Sequence, residues 1–187
     1  MSRPAAYGKT QRSYRETIRF YKDLREAVYE YIEEEYRYLG IRASEITHLD
    51  ACAADQWKSE GSRAFWGWQQ MYANYHTHAG IKRFDLAIKL RGALQLLCYG
   101  VPSRRKLILK MHAIERSPKR YTLEEDAVEI ALLAAMTYAD LLCSKELWLC
   151  NPMSPAHVRY YRQYGFTPQH DAAGQTPYLT MRLNTDE

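Results

Sequence analysis

The sequence predicts a single α/β domain of the α+β type, residues 1–187, with a mixed, mostly antiparallel sheet flanked by about four helices. Apolar residues recur at helical spacing before residue 76, alternate at strand spacing from 84 to 114, and return to helical spacing after 122. The length of 187 residues suits one domain, and a composition that is 47% hydrophobic and 26% charged is typical of a globular chain. We expect residues 1–12 to form a flexible N-terminus. The predicted element order is ααβββαβαβ.

Two helices are predicted before the sheet. The first runs from Tyr14 to Leu39, because apolar side chains recur along one face, Ser13 can cap its start and Gly40 can end it. Residues 41–61 are predicted to be loop with a short helix. A second helix is predicted from Arg63 to about Tyr75. Four aromatic residues share one face of it: Phe65, Trp68, Tyr72 and Tyr75. Such a stripe is typical of core packing and could also border a binding pocket.

Alternating apolar residues then predict three strands, from Phe84 to Leu90, Ala93 to Tyr99 and Lys106 to Ile114. The segment Gly-Val-Pro-Ser-Arg-Arg, residues 100–105, has the composition of a hairpin loop between the last two. These three segments predict an antiparallel meander.

The C-terminal part predicts helix, strand, helix, strand. Thr122 and Glu125 have the spacing of a capping box at the start of a third helix. The apolar segment 146–150 (ELWLC) predicts a buried parallel strand. Ser154 can cap a fourth helix, with Pro155 at its first position, and Gly165 can end it. Residues 177–183 (PYLTMRL) predict a last strand.

The segment VEIALLAAMTYADLLCSKELWLCNPMSPAHVRYYRQYGF, residues 128–166, resembles the second half of the GNAT (Gcn5-related N-acetyltransferase) superfamily. It has that family's helix, strand and short helix bearing Tyr-x-x-x-Gly-Phe, and the upstream order of elements also fits over residues 14–183. The resemblance implies a GNAT-like fold and an acyl-CoA-dependent N-acyltransferase that moves an acetyl group from acetyl-CoA to an amine. Acetyl-CoA would bind in a V-shaped gap between the strands at 106–114 and 146–150.

Site residues follow from the same resemblance. Tyr161 matches the tyrosine that protonates the departing CoA thiolate, a role in which a placed proton donor typically contributes about 10²–10⁴-fold. The resemblance also implies a set of cofactor-binding residues: His112, Ala113, Ile114, Arg116, Lys119, Arg120, Asn151 and Ser154. Both Tyr161 and Ser154 have purely structural alternatives, as a core aromatic and a helix cap.

An acceptor ammonium must lose a proton before its nitrogen can attack. Glu115, at the end of the third predicted strand, is the first candidate for this base, and His112 is the second. In a regular strand the two side chains would lie on opposite faces, so they could share one cleft only if the strand contains a bulge. A surface ion pair is the structural alternative for Glu115.

One segment departs from the family pattern. The family holds the CoA pyrophosphate in a glycine-rich loop before a helix N-terminus, whereas residues 115–129 here read ERSPKRYTLEEDAVE and contain no glycine. Three acidic residues, Glu124, Glu125 and Asp126, would also repel a diphosphate. Arg116, Lys119 and Arg120 could compensate through their side chains. This segment therefore leaves open the alternative that the chain is a catalytically silent GNAT-like binding module. A third alternative is a nucleobase-modifying protein, because some proteins of this fold modify nucleobases.

The remaining expectations concern partners and location. The net charge of +4 permits an anionic ligand, and no basic patch denser than Arg104, Arg105 and Lys106 argues for nucleic acid. The acceptor is expected to be a small-molecule or peptide amine; whether the chain forms a homodimer stays open. No secretory signal or membrane span is visible, and the four cysteines are expected to be reduced, buried thiols of a cytoplasmic protein. His76 and His78 lack companion ligands, so no metal is predicted.

Overall fold

The structure of the chain is a computed structural model that describes residues 13–62, 64, 66–76, 80–119, 123, 126–170, 172–175 and 177–183. Within these residues the chain forms five α-helices, two short 3-10 helices and seven strands. The helices are α1 (Tyr14–Glu35), α2 (His48–Asp55), α3 (Trp68–Tyr75), α4 (Ala127–Leu141) and α5 (Pro155–Arg162). The strands are β1 (Ile41–Ser44), β2 (Phe84–Leu90), β3 (Ala93–Pro102), β4 (Ile108–Arg116), β5 (Glu146–Cys150), β6 (Thr167–Gln169) and β7 (Tyr178–Arg182).

All seven strands belong to one sheet in the order β1-β2-β3-β4-β5-β7-β6. Only the β4–β5 pair is parallel among the described pairs; every other pair is antiparallel. The predicted mixed, mostly antiparallel sheet is therefore confirmed. The parallel pair lies in the middle of the sheet, where the predicted binding gap was placed.

Two layers of helices bury the two faces of the sheet. The larger core joins α1 and α4 to one face, here called the α1/α4 face, through side chains such as Ile32, Leu86 and Ile130. The smaller core joins α2 and α3 to the opposite face, the α2/α3 face, and is built around Trp68 and Tyr99. Burial of these apolar side chains is the main stabilising contribution to the fold.

Local caps explain where the helices begin. Ser13 caps α1 in a capping box with Glu16, whose carboxylate accepts the Ser13 backbone N–H at 2.6 Å. Ser154 caps α5 by accepting the His157 backbone N–H at 3.3 Å, and Pro155 occupies the first turn, as predicted. The predicted capping box of Thr122 and Glu125 lies outside the described residues; the described part of α4 begins at Ala127.

Several boundaries differ from prediction. The first α-helix ends at Glu35, and a 3-10 helix (Arg37–Leu39) leads to Gly40, whose φ of 66° fits a glycine stop. Strands β1 and β6 were not predicted, and β3 extends to Pro102, which moves the hairpin turn to residues 103–107. The expectation of buried cysteines is wrong in part. All four thiols are free, yet Cys98 alone of the four is buried and Cys143 is exposed.

Candidate active site

A gap opens in the middle of the sheet because β4 and β5 separate. Their parallel pairing runs from Ile108 opposite Glu146 to Met111 opposite Leu149 and then stops, although β4 continues to Arg116. The pairing covers four of the five residues of β5, so the predicted splay between these strands stays a prediction for the part of β4 beyond Met111. Beyond Met111, the backbone of β4 therefore has an edge that β5 does not pair.

A bulge in β4 lies at the start of this gap. In the β3–β4 pairing Tyr99 lies opposite Ala113 and Gly100 lies opposite Met111, so His112 is the extra residue. The side opposite the bulge has little room, because a Cβ on Gly100 would come within 2.7 Å of Met111 Sδ and 3.0 Å of Lys110 O. The bulge places His112 and Glu115 on the same α2/α3 face. The His112 ring is stacked 6.4 Å from Tyr75, and Glu115 contacts Trp68.

The gap leads to a small cavity of about 80 Å³ lined by residues from both strands and from α5. Its walls contain five of the predicted site residues: His112, Ala113, Ile114, Asn151 and Tyr161. Asn151 has a φ of 52°, a conformation that asparagine tolerates better than most residues, and its N–H donates to Pro177 O at 2.8 Å. Ser154 lies just beyond the lining, as the cap of α5.

Tyr161 reaches the cavity from the α1/α4 face. It packs partly buried against the larger core, with its ring edge-on to Phe166 at 6.1 Å. Burial raises the pKa of its phenol well above the ordinary value, and the neighbouring Cys98 adds to that shift. The phenol therefore keeps its proton at neutral pH, as a proton donor must.

His112 lines the same cavity from the α2/α3 face. Burial lowers the pKa of its imidazole, and the nearby positive charge of Lys110 lowers it further. The ring is therefore neutral at neutral pH and can accept a proton. Its pKa shift thus complements that of Tyr161: one buried group holds a proton and the other is ready to take one.

Glu115, the first candidate base, lies behind the cavity wall and not among its lining residues. One carboxylate oxygen accepts a hydrogen bond from Trp68 Nε1 at 2.6 Å, and the other accepts from Ser62 Oγ. Burial raises the pKa of the carboxyl group, and these two hydrogen bonds oppose the rise. The carboxylate links α3 and the loop after α2 to β4, so its contacts are those of a structural group.

The predicted anion-binding residues lie at the end of β4 and in the segment that follows it. Arg116 is exposed at the end of the strand, and Lys119 Nζ lies 2.8 Å from Glu60 Oε1. Ser117 is buried: its N–H donates to Gln95 O at 2.7 Å, and its Oγ accepts from Lys119 N. Arg120 and the acidic residues Glu124 and Glu125 lie outside the described residues. The described part of this segment is thus held to β3 and to the loop after α2.

Several lining residues were not predicted from the sequence. Trp66, Cys150, Met153 and His157 all contribute to the cavity wall. His157 could have been found, because it lies four residues before Tyr161 and therefore on the same face of α5. Trp66 lies within the predicted second helix, but it was not one of the four aromatic residues named there as core or pocket wall.

This arrangement can be compared with known proteins. No protein-family model and no curated protein sequence matches the chain. Among solved structures, the ribosomal-protein-S18-alanine N-acetyltransferase from Escherichia coli has a TM-score of 0.56 at 14% identity, with 76% of this chain and 92% of that one covered. The acetyltransferase of GNAT family from Streptococcus pneumoniae has a TM-score of 0.54 at 15% identity, with 76% and 99% covered.

The chain has the GNAT fold. A third similar structure with this fold, the PaiA N-acetyltransferase from Thermoplasma acidophilum, was solved in complex with coenzyme A. It has a TM-score of 0.53 at 10% identity, and 76% of this chain and 99% of that one are covered. At 10–15% identity these comparisons show the fold alone. An activity has to be argued from the residues that line the gap.

Two further observations bear on the class of site. Across the described ranges, no helix is both long and apolar enough to cross a membrane. No group of three or more His, Cys, Asp or Glu side chains in the described part of the chain is placed to hold a metal ion. His76 stacks on Tyr72 at 3.8 Å, while His78 lies outside the described residues.

Proposed function

We propose that the protein is an acyl-CoA-dependent N-acyltransferase that transfers an acetyl group from acetyl-CoA to the amine of a small molecule or peptide. One observation carries this proposal: a gap in the sheet has a protonated phenol on one side and a neutral imidazole on the other. Acyl transfer from a thioester to an amine is accelerated by a general base for the amine and a proton donor for the leaving thiolate. A cytoplasmic location, as expected from the sequence, is consistent with acetyl-CoA as the donor.

We expect the pantetheine arm of the cofactor to enter the gap beside β4. The unpaired edge of β4 at His112, Ala113 and Ile114 offers backbone groups to an extended amide chain, as an additional strand would. Asn151 and Ser154 lie at the opposite side of the gap. The fit is weaker at the phosphates, where glycines are missing and Arg116, Lys119 and Arg120 must supply side-chain contacts.

The residues would divide the reaction as follows. His112 accepts a proton from the acceptor amine as the new nitrogen–carbon bond forms. Tyr161 donates its proton to the sulfur as the carbon–sulfur bond breaks, so that a free thiol leaves. The high pKa of Tyr161 then ensures that the phenolate regains a proton from solvent. We place His112 before Glu115 as the base because His112 lines the cavity, whereas both carboxylate oxygens of Glu115 are occupied; a role for Glu115 stays a prediction.

The test begins with binding. Calorimetric titration of the full chain with acetyl-CoA should give saturable binding, and acetyl-CoA should raise the melting temperature by mass action. Release of the CoA thiol should then depend on an added amine. The value of kcat/KM should increase with pH in a first step below the ordinary histidine range, where His112 loses its proton because its pKa is lowered. It should increase again as the acceptor ammonium loses its own proton.

A second candidate function is a silent binding module with this fold. The observation that favours it is the phosphate-side segment, which lacks glycine and in which Lys119 is already paired with Glu60. The same titration separates the two functions. Absence of acetyl-CoA binding at low salt would favour the silent module and exclude the transferase.

A further inference from the structure

Next to the gap lies a part of the sheet that no helix of the described residues covers in either core. Along β5, Leu147 and Leu149 are buried in the larger core, whereas the alternating Glu146, Trp148 and Cys150 are only half-buried. The smaller core, which covers the α2/α3 face, takes its described sheet residues from β2, β3 and β4. The α2/α3 face of β5 and β7 is therefore only half-buried. We call Lys110, Glu146, Trp148 and Tyr178 the open patch.

The open patch holds a lysine in a defined position. Lys110 Nζ lies 5.0 Å from the centre of the Trp148 ring, a cation–π distance. The Trp148 ring is itself fixed, since it stacks parallel to Tyr178 at 4.3 Å and its Nε1 donates to Glu146 at 2.7 Å. Among the described residues, no carboxylate lies within ion-pair distance of Lys110. The side chain is thus an ordered cation without an anionic partner in the described part of the chain.

This cation is adjacent to the gap. Lys110 lies opposite Trp148, one position before the β4–β5 pairing ends, and two residues before the bulge at His112. Lys110 and His112 are two residues apart in β4 and lie on the same face, with a backbone spacing of about 7 Å in a regular strand. The positive charge of Lys110 also reaches the gap, since it lowers the pKa of both His112 and Cys150, two of the lining residues.

We propose that the acceptor is a small amine that also carries a carboxylate, with the carboxylate bound by Lys110 and the amine presented to His112. This inference rests on the proposed transferase function and narrows its acceptor class. A single monovalent cation complements a carboxylate better than a doubly charged phosphate, which normally recruits several donors. The open patch leaves the other side of the carboxylate exposed to solvent, so a small molecule suffices as the partner.

The experiment compares ω-amino acids of increasing length, from glycine to ω-aminohexanoate, with n-alkylamines of the same length. The wild-type protein should prefer the longer amino acids over the matched alkylamines by about 10- to 100-fold in kcat/KM, the range expected for a charged hydrogen bond. Lys110→Met should reduce that ratio to near one, and Lys110→Arg should retain most of it. Lys110→Glu should reverse the preference toward α,ω-diamines. Lys145→Met, which removes an exposed lysine before β5, should leave the ratio unchanged.

The outcomes separate this inference from the proposed function. If amines are acetylated but alkylamines react as well as the amino acids, the inference is wrong and the transferase stands. The same holds if Lys110→Met keeps the preference, or if ω-aminoalkyl phosphates are preferred to the carboxylates. If the wild-type protein neither binds acetyl-CoA nor releases its thiol with any amine in the series, the proposed function fails and this inference fails with it.

Discussion

Single residues on the two sides of the gap have opposite pKa shifts for one cause, burial. Removing a phenol from water disfavours the phenolate and raises the pKa of Tyr161, whereas removing an imidazole from water disfavours the imidazolium and lowers the pKa of His112. Tyr161 was predicted from the sequence, because it lies four residues before Gly165. The sequence ranked Glu115 before His112 as the base, whereas we propose the opposite order, because the exposure of each side chain depends on which helix covers it.

Tyr161→Phe tests the proposed proton donor. The substitution removes only the hydroxyl, so the ring should keep its contact with Phe166 and acetyl-CoA should still bind. We expect kcat to fall by about 10²–10⁴-fold with little change in the dissociation constant of acetyl-CoA. Tyr160→Phe, on the more exposed neighbouring ring, is the matched control. An unchanged kcat in Tyr161→Phe would remove Tyr161 from the mechanism.

Glu115→Gln separates a structural role from a catalytic one. Because burial raises the pKa of Glu115, the folded protein binds this proton more tightly than the unfolded chain, so the charged form reduces stability above the raised pKa. The Glu115→Gln variant has no charge to bury at this position. We therefore expect its melting temperature at neutral pH to equal or exceed that of the wild type. This difference should shrink as the pH falls through the raised pKa and below the ordinary glutamate value.

Glu115→Ala is the control, because it leaves Trp68 Nε1 buried without its acceptor and should lower the free energy of unfolding by about 1–3 kcal/mol. Activity gives the second readout. A large loss of kcat in the well-folded Glu115→Gln variant would restore Glu115 as the base.

Among the elements, β4 shows why the site is only partly predictable from sequence. Its alternation identifies a strand, but the bulge at His112 depends on a cross-strand contact between Gly100 and Met111 that no local pattern reveals. Strand β1 was not predicted, for a related reason. Its four residues lack clear alternation, and they become a strand because they pair with the edge of β2. Helix α5 was predicted well, since its cap, proline and glycine are all local.

Gly100→Ala tests the bulge. A Cβ at this position would come within 3.0 Å of the Lys110 backbone oxygen, which cannot move without shifting β4. We expect the free energy of unfolding to fall by about 1–3 kcal/mol and kcat to fall as well, because His112 is displaced. Gly67→Ala is the matched control: its Cβ would meet other atoms only at 3.9 Å or more, and stability should change by less than about 1 kcal/mol. Equal losses in the two variants would contradict the role given to the close approach.

At the scale of the whole molecule, the charges of residues 115–129, the segment expected to meet the CoA phosphates, should govern the affinity for acetyl-CoA. Side-chain contacts to phosphates are screened by salt more than backbone amides in a buried loop. With no glycine in this segment, acetyl-CoA binding should weaken steeply between about 0.05 and 0.3 M salt. In the proposed complex, Glu60 would compete with the phosphates of acetyl-CoA for Lys119.

Glu60→Gln should remove the ion-pair partner of Lys119 and leave its ammonium group available to the phosphates of acetyl-CoA. We expect acetyl-CoA to bind about 2- to 5-fold more tightly, since a partly exposed ion pair is worth about 0.2–1 kcal/mol. Calorimetric titration at low salt measures the change. Glu26→Gln, which removes an exposed carboxylate paired with Lys22 on α1, should have no effect. Weaker binding in Glu60→Gln would show that the pair instead holds the loop in its binding conformation.

The gap between β4 and β5 is bordered from both sheet faces, by Tyr161 on one and His112 on the other. If the chain is the proposed transferase, donor and acceptor could approach the cavity from the two faces. We would then expect a ternary complex and no covalent acetyl-protein. Cys150, the thiol in the wall, is poorly suited to carry the acetyl group because burial raises its pKa. Steady-state double-reciprocal plots for donor and acceptor should then intersect rather than run parallel.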